Sequence, residues 1–201
     1  MSKYPTTPEE QNWIKMTRAG NGAAFSHIIE KYQKPVYNLC YYMLRNTVEA
    51  EDATQEVFLR AYTKIDSYNE SHKFSTWLFS IASHYCIDRL KRPQVTLIPW
   101  EKLAFGVANK GVQPELTLIN GETTAEIHTL IDALPPDYRS AVILKYWYAM
   151  PLQEIAETLN STVSAIKSKL FRARKLMAQM ALKKQAVVPF PAREGTFSLA
   201  I

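Results

Sequence analysis

The stretch from Leu152 to Met177 constrains the fold more than any other part of the chain. Its first half has apolar residues at the spacing of one helical face, namely Leu152, Ile155, Ala156 and Leu159. Asn160, Ser161 and Thr162 then interrupt the pattern, and these residue types favour turns and N-caps. A second helical stripe follows, made of Val163, Ile166, Leu170, Ala173 and Met177. The pattern predicts two helices joined by a tight turn, which is a helix-turn-helix.

The second of these predicted helices carries charge of one sign. No Asp or Glu occurs between Thr158 and Ala192. The basic residues in that stretch are Lys167, Lys169, Arg172, Arg174, Lys175, Lys183 and Lys184. A solvated face of an ordinary bundle usually mixes both signs, whereas a face of positive charge alone attracts phosphate. We therefore favour DNA binding over a plain helical hairpin.

Composition places the chain among helical proteins. It has 201 residues, of which 47% are hydrophobic, and only 6 are glycine, and no stretch alternates like a strand. The fold class predicted is all-α, with two small helical domains. The net charge of +5 fits a polyanionic partner without requiring one. The first residues lack the apolar core of a signal peptide, and no apolar run is long enough to span a bilayer, so we expect a cytoplasmic protein without membrane contact.

Periodicity predicts that residues 1–92 form the first domain. The helices expected in it run from Pro8 to about Gly20, Ala23–Tyr32, Val36–Arg45, Val48–Ile65 and Trp77–Lys91, with Pro35 opening the third and Ser75 or Thr76 capping the last. Cys40 and Cys86 fall within apolar helical patterns, which predicts buried, reduced thiols.

The helix Val48–Ile65 has an acidic first half. Asp52, Gln55 and Glu56 lie three or four residues apart, so they share an outer face. The helix macrodipole alone favours acidic residues near an N-terminus. A docking surface for a basic partner protein is the functional alternative.

A polar loop with aromatic residues precedes the last helix of the first domain. Tyr68, Phe74 and Trp77 lie in or next to it, and the helix ends on the basic residues Arg89, Lys91 and Arg92. Most such aromatic residues belong to a core. Aromatic rings beside basic residues also suit stacking on unpaired bases, and the sequence leaves both interpretations open.

The rest of the chain divides into three parts. Residues 93–121, rich in proline and glycine, predict a linker. Residues 122–184 predict a second domain, in which two further helices precede the helix-turn-helix. They carry the stripe of Ile127, Leu130, Ile131 and Leu134 and then, after Pro135-Pro136, the stretch Asp137–Tyr148. Residues 185–201 form a tail without helical period or an assigned role.

Three segments together resemble one known family. They are AEDATQEVFLRAYTKIDSY, KFSTWLFSIASHYCIDRLKR and LPPDYRSAVILKYWYAMPLQEIAETLNSTVSAIKSKLFRAR. In this order and spacing they resemble bacterial sigma factors of the extracytoplasmic-function group, which keeps only the domains called region 2 and region 4. The resemblance covers roughly residues 23–177 and implies an all-α fold in which residues 1–92 hold region 2 and residues 122–184 hold region 4.

The resemblance also implies roles for particular residues. Asp52, Gln55 and Glu56 correspond to the surface that docks on the clamp helices of the polymerase β′ subunit. The residues that correspond to the reader of the melted −10 element are Tyr68, Phe74, Trp77, His84, Asp88, Arg89, Lys91 and Arg92. The residues on the helix that corresponds to the −35 reader are Ser164, Lys167, Ser168, Phe171, Arg172, Arg174 and Lys175. The linker corresponds to a segment that threads toward the active-site and RNA-exit channels of the polymerase, which adds the β subunit to the expected contacts.

Two positions depart from the family's usual pattern. His84 stands where many relatives have Asn, at a position close to the captured base. Ser164-Ala165-Ile166 replaces the usual Gly-Thr-Val at the start of the −35 reading helix. We expect both departures to change base preference.

The function that the resemblance implies is that of a promoter-specificity subunit. Its partners would be core RNA polymerase, promoter DNA and an anti-sigma factor, with no cofactor, metal, catalytic residue or homo-oligomer required. A stand-alone helix-turn-helix regulator is the alternative, but it would need a dimer to read paired half-sites and would leave the acidic surface without a purpose. An enzyme is disfavoured because His27, His72, His84 and His128 are scattered without metal-binding spacing.

Overall fold

The computed structural model describes residues 4–92 and 121–183, with side chains placed in 4–92 and 127–182. The helices in these ranges are α1 (Pro8–Arg18), α2 (Gly22–Leu44), α3 (Thr47–Thr63), α4 (Phe74–Lys91), α5 (Gly121–Asp132), α6 (Pro136–Tyr146), α7 (Leu152–Thr158) and α8 (Val163–Lys183), with a short 3₁₀ turn at Ile65–Ser67. The described ranges contain no strand, in agreement with the predicted all-α class. Residues 93–120 of the predicted linker and the predicted tail lie outside them.

Helices α1–α4 form the N-terminal domain around one apolar centre. Ile28, Tyr32, Leu39 and Leu78 are wholly buried there. Each large apolar side chain removed from water in this way contributes roughly 1.5–3 kcal/mol before conformational entropy is subtracted. Helix α2 packs on the three others, so it is the central element of the domain.

Helix α2 differs from the prediction of two separate helices. It continues through Pro35, although proline removes a backbone hydrogen bond and usually breaks a helix at a cost of about 3 kcal/mol. The buried stripe explains the continuity. Tyr32 before the proline and Val36 and Leu39 after it face the same core, so breaking the helix would expose one half of the stripe.

The ends of α3 and α4 also differ from the prediction. Helix α3 ends at Thr63, and the chain continues as the 3₁₀ turn instead of as helix to Ile65. Helix α4 begins at Phe74, three residues before the predicted start, and its N-cap Lys73 supplies no side-chain cap. Ser75 does not cap the helix, because its hydroxyl is buried and donates to the carbonyl of Tyr4 at 2.8 Å. Thr76, the other predicted cap, is a buried residue inside the helix.

The two cysteine thiols lie where the sequence predicts, inside the N-terminal domain. Cys40 and Cys86 are both free and fully buried. A hydrogen bond with Cys40 and burial raise the pKa of Cys86 well above its usual value. This environment disfavours the reactive thiolate.

Helices α5–α8 form the C-terminal domain, and their predicted stripes are buried. Ile127, Leu130, Ile131 and Leu134 face its core, as do Ile155, Ile166 and Leu170 of the helix-turn-helix. The prediction of two helices followed by a helix-turn-helix is therefore confirmed.

The two domains pack directly against each other, which the sequence did not predict. Helix α4 packs on α6 and α7, and α2 packs on α6. Buried Arg139 donates through Nη1 to the carbonyl of Met43 at 2.6 Å, and the Tyr148 hydroxyl donates to the carbonyl of Pro35. The buried apolar residues of both domains form one continuous cluster. We call this packed state the closed arrangement.

Candidate nucleic-acid interface

The turn between α7 and α8 ends the first helix of the helix-turn-helix and begins the predicted reading helix. Asn160 adopts a left-handed conformation with φ of 46°. The N–H of Asn160 donates to the carbonyl of Glu157 and that of Ser161 to the carbonyl of Ala156, which is the Schellman closure of a helix. The Thr162 hydroxyl then accepts from the N–H of Ala165 at 3.1 Å and caps α8. The turn predicted at residues 160–162 is confirmed.

Helix α8 presents the predicted −35 residues on its outer face. Ile166, Leu170, Ala173 and Met177 anchor the opposite face in the core. The exposed members of the predicted set are Ser164, Lys167, Ser168, Phe171, Arg172 and Lys175, while Arg174 is half-buried. The Phe171 side chain is 63% exposed, so its ring is accessible to a partner. The helix thus combines cations, hydroxyl groups and one apolar ring on a single accessible face.

The aromatic residues of the predicted −10 loop are mostly buried. Tyr68 and Phe74 lie in contact edge to face, with ring centroids 5.2 Å apart, and both are buried. Trp77 packs against them and is half-buried. The Tyr68 hydroxyl donates to the carbonyl of His72 at 2.7 Å, so this ring holds the loop in shape. Of the three rings, Trp77 is the one with surface to offer a base in the closed arrangement.

Arg18 of α1 fixes the same loop from outside. Its guanidinium donates to the carbonyl of Ile65 at 3.3 Å, to the carbonyl of Tyr68, and to the carboxylate of Glu70 at 2.6 Å. No sequence pattern indicates this role, because Arg18 lies far from the loop along the chain. The Arg18 side chain therefore holds the loop against α1.

The outer face of α4 carries the remaining predicted −10 residues. His84, Asp88, Arg89, Lys91 and Arg92 are all exposed. Nδ1 of His84 lies 2.8 Å from the carbonyl oxygen of Ser80. A carbonyl only accepts, so Nδ1 donates this hydrogen bond and Nε2 is the ring nitrogen left for another partner. An Asn side chain at this position would instead offer both a donor and an acceptor.

Carboxylates of the C-terminal domain lie on this predicted −10 surface. Lys73 pairs with Glu154, and the Nζ of Lys91 lies 2.8 Å from Asp137. His72 Nδ1 lies 3.3 Å from a carboxylate oxygen of Glu157. These carboxylates approach the surface at which phosphates of promoter DNA are expected. Sequence reasoning missed Lys73, Glu154 and Asp137 as partners because no sequence pattern shows which helices of two domains meet.

The face of α3 that carries the predicted polymerase-docking residues also exposes apolar side chains. Asp52 and Gln55 are exposed, whereas Glu56 is half-buried and accepts from Arg60 Nε at 2.7 Å. Three apolar side chains share the exposed face: Val48 (59%), Leu59 (59%) and Tyr62 (40%). Val48, Asp52, Gln55, Leu59 and Tyr62 alternate in steps of four and three. This spacing is that of a seam that packs on another helix, and it was visible in the sequence.

The described ranges contain neither a candidate membrane span nor a cluster of metal-ligating side chains. No helix among these residues combines the length and apolarity needed to cross a bilayer. No group of three metal-ligating side chains occurs among them.

Comparisons with known proteins agree with the two-domain organisation. Residues 28–95 match the family model described as Sigma-70 region 2, and residues 124–177 match that of Sigma-70, region 4. The chain is 39% identical over 180 residues to the ECF RNA polymerase sigma factor SigW of Bacillus subtilis, covering 86% of this chain and 94% of that protein. The chain belongs to the extracytoplasmic-function family of RNA polymerase sigma factors. It is an alternative sigma factor, and its family consists of transcription initiation factors.

Further relatives support the same family. This sigma factor is 29% identical over 173 residues to the ECF RNA polymerase sigma-E factor of Escherichia coli K12, covering 82% of this chain and 90% of that protein. Among solved structures, CnrH in complex with the cytosolic domain of CnrY has a TM-score of 0.63 at 18% identity, covering 89% of this chain and 99% of that one. The sigma factor RpoE in complex with the anti-sigma factor NepR from Bartonella quintana has a TM-score of 0.61 at 19% identity, covering 79% and 96%. These two structures support the fold.

Proposed function

We propose that this sigma factor selects promoters by gripping duplex −35 DNA with α8 while α4 and the preceding loop capture the melted −10 element. The single observation that carries the proposal is the outer face of α8, where exposed cations, Ser164, Ser168 and Phe171 lie together without an acidic residue. Residues nearest the start of α8 reach base edges, and the cations farther along hold phosphates.

On the −10 side, the exposed face of α4 supplies the reading groups. Trp77 offers a ring for stacking on an unpaired base, and His84 offers its Nε2 nitrogen for a hydrogen bond. Arg89, Lys91 and Arg92 attract the phosphates of the melted strand. Buried Tyr68 and Phe74 support the loop from inside, so we assign them a positioning role in place of direct stacking.

The seam on α3 docks on the clamp helices of the polymerase β′ subunit. Asp52 and Gln55 supply the polar contacts, and we add Val48, Leu59 and Tyr62 as the apolar contacts. Glu56, which is paired with Arg60, shapes this surface and contributes charge to it. An apolar seam with acidic members suits a helical partner that carries basic residues.

The two domains have to separate before they can act together. In the closed arrangement Asp137 and Glu154 form ion pairs with Lys91 and Lys73 of the −10 surface, so promoter phosphates compete with these carboxylates. Core polymerase, by holding each domain at its own site, replaces the contact between domains. The two weak DNA contacts then combine through effective concentration. The proposal assigns no catalytic residue to this chain, places it in the cytoplasm, and includes an anti-sigma factor as its regulator.

The test is run-off transcription from a pool of promoter fragments, with core RNA polymerase added or withheld. The proposal predicts initiation at a defined subset of fragments that requires both the chain and the core enzyme. Tight duplex binding by the chain alone, without new start sites for the core enzyme, would instead support a stand-alone regulator.

A further inference from the structure

The residues that precede α1 lie at the joint between the two domains. We call residues 4–7 the N-terminal strap. The ring of Tyr4 lies 5.5 Å from that of Phe79 in α4 and 6.2 Å from that of Tyr148 in the C-terminal domain, measured between centroids. It also lies 6.3 Å from the ring of Tyr32 in α2. One side chain of the strap therefore contacts both domains.

The partner of Tyr4 in the C-terminal domain is itself a joint residue. Tyr148 is 4% exposed and donates its hydroxyl to the carbonyl of Pro35. Its ring packs edge to face on Phe79 at 5.0 Å. Separation of the domains would pull Tyr148 away from Tyr4, Phe79 and Pro35 together.

The strap also completes the start of α4. Thr6 Oγ1 accepts from the N–H of Phe74 at 3.0 Å, in the place of the side-chain cap that Lys73 does not supply. Ser75 Oγ donates to the Tyr4 carbonyl. The same end of α4 carries Lys73, which pairs with Glu154 of the C-terminal domain. The strap and this interdomain ion pair thus meet at one helix terminus.

The far end of the strap is fixed to the N-terminal domain. Thr7 and Glu10 form a capping box, with both of its hydrogen bonds at 3.3 Å. Glu10 is fully buried and pairs with Lys31 of α2 at 2.8 Å. The strap is therefore anchored on α1 and α2 and reaches across to Tyr148.

We infer that the N-terminal strap is a latch that stabilises the closed arrangement through Tyr4, and that opening of the sigma factor requires Tyr4 and Tyr148 to separate. The latch itself follows from these contacts alone, and only its consequence for promoter binding rests on the proposed function. Release of the latch exposes Tyr148 and the start of α4, where Lys73 pairs with Glu154 beside the proposed −10 loop.

The test measures the distance between the domains in the full chain, without DNA or polymerase. Labels are placed at Glu30→Cys in α2 and Gln179→Cys in α8, both exposed positions, while the buried Cys40 and Cys86 remain unlabelled. Double electron–electron resonance then gives the distance distribution. The doubly labelled chain with an unsubstituted strap should give a single population of short label-to-label distances. Tyr4→Ala should raise the ratio of open to closed molecules by about tenfold, because aromatic contacts to both domains are lost.

Matched variants separate the latch from a general loss of stability. Tyr4→Phe keeps the ring and should remain closed. Tyr62→Ala removes a ring that packs on Phe25 within the N-terminal domain, 5.1 Å away between centroids, and should also remain closed. Helical circular dichroism checks that each variant folds. Deletion of residues 1–6, which keeps the Thr7 capping box, is the second test if Tyr4→Ala does not fold.

An unchanged distance distribution in a folded Tyr4→Ala or deletion variant would overturn the latch and make the strap a part of the N-terminal core only. Opening by Tyr4→Phe to the same extent as by Tyr4→Ala would also overturn it. Neither result depends on transcription, so a failure of the latch is distinguishable from a failure of the proposed function.

Discussion

His128 is a buried residue at the contact between the domains whose protonation affects that contact. Its ring stacks on Tyr42 of α2 at 5.7 Å, and its Nδ1 lies 3.4 Å from Arg45 Nη1. Burial and the Arg45 charge lower the pKa of His128 to about 4. Asp132, which pairs with Arg45 at 3.3 Å, has its pKa raised by burial, an effect that the nearby Arg45 and Arg139 oppose. The imidazole is therefore buried in its neutral form beside a cation.

The pKa of His128 predicts a loss of stability in acid. The unfolded chain has an imidazole pKa near 6.5, so between about pH 6.5 and pH 4 it binds a proton that the folded chain does not. Stability is thus fully present above pH 6.5 and falls by roughly 3 kcal/mol as the pH drops through this window. His128→Phe should remove this part of the pH dependence in urea denaturation measured from pH 4 to pH 7. An unchanged slope in the variant would show that other groups cause it.

At the residue scale, the sequence predicted exposure better than it predicted contacts. The set on α8 was predictable because the buried stripe fixes which side faces water. The burial of Tyr68 and Phe74 was not predictable, since an aromatic ring in a polar loop can be buried or exposed and neither spacing nor charge decides between the two. Arg139 gave no indication of its interdomain hydrogen bond, because its partner is a backbone carbonyl 96 residues away.

At the element scale, α8 depends on its cap. The N-cap hydroxyl of Thr162 is the side-chain acceptor for Ala165 N–H at the start of the reading helix. Loss of such a cap typically costs about 1 kcal/mol. Thr162→Ala should lower the free energy of unfolding by that amount and weaken −35 binding by the assembled holoenzyme, whereas Thr162→Ser should preserve both.

Ser161→Ala is the matched control for this cap, since Ser161 is adjacent and makes its Schellman bond through the backbone. Chemical denaturation of the three variants gives the free energies of unfolding. Equal losses for Thr162→Ala and Ser161→Ala would contradict the capping role.

Helix boundaries show where local rules suffice and where packing overrides them. The helix-turn-helix followed local chemistry, because its apolar stripes and the turn- and cap-favouring residues 160–162 are visible in the sequence. The prediction that Pro35 separates two helices was wrong, because the core that α2 shares with the other helices outweighs the local tendency of proline to break a helix. The start of α4 was predicted three residues too late, because its capping group, Thr6, comes from a distant part of the chain.

At the scale of the whole molecule, the closed arrangement combines apolar packing with ion pairs that salt screens. An ion pair near the surface contributes only about 0.2–1 kcal/mol, so the loss of both pairs weakens the closed arrangement by about 0.4–2 kcal/mol. Asp137→Asn combined with Glu154→Gln should therefore raise the ratio of open to closed molecules by about two- to thirtyfold. Added salt should have a similar effect on the unsubstituted chain and a smaller one on the variant.

Glu49→Gln provides the control for the interdomain pairs. Glu49 lies 3.8 Å from Arg89 within the N-terminal domain, so its loss leaves the domain contact intact. The distance between the labelled domains, measured from low to high salt, compares the variants. An opening by Glu49→Gln equal to that of the double variant would contradict the role of the interdomain pairs.

The most direct test of two-point promoter recognition compares the promoters selected from one random pool by holoenzymes that carry the original chain, His84→Asn or Ser164→Gly. His84→Asn should change the selected −10 sequence alone, because an Asn amide offers both a donor and an acceptor where the imidazole offers its one remaining nitrogen. Ser164→Gly should change the selected −35 sequence alone. Unchanged preferences in both variants, or a change in the opposite element, would contradict the assignment of α4 and α8 as the two readers.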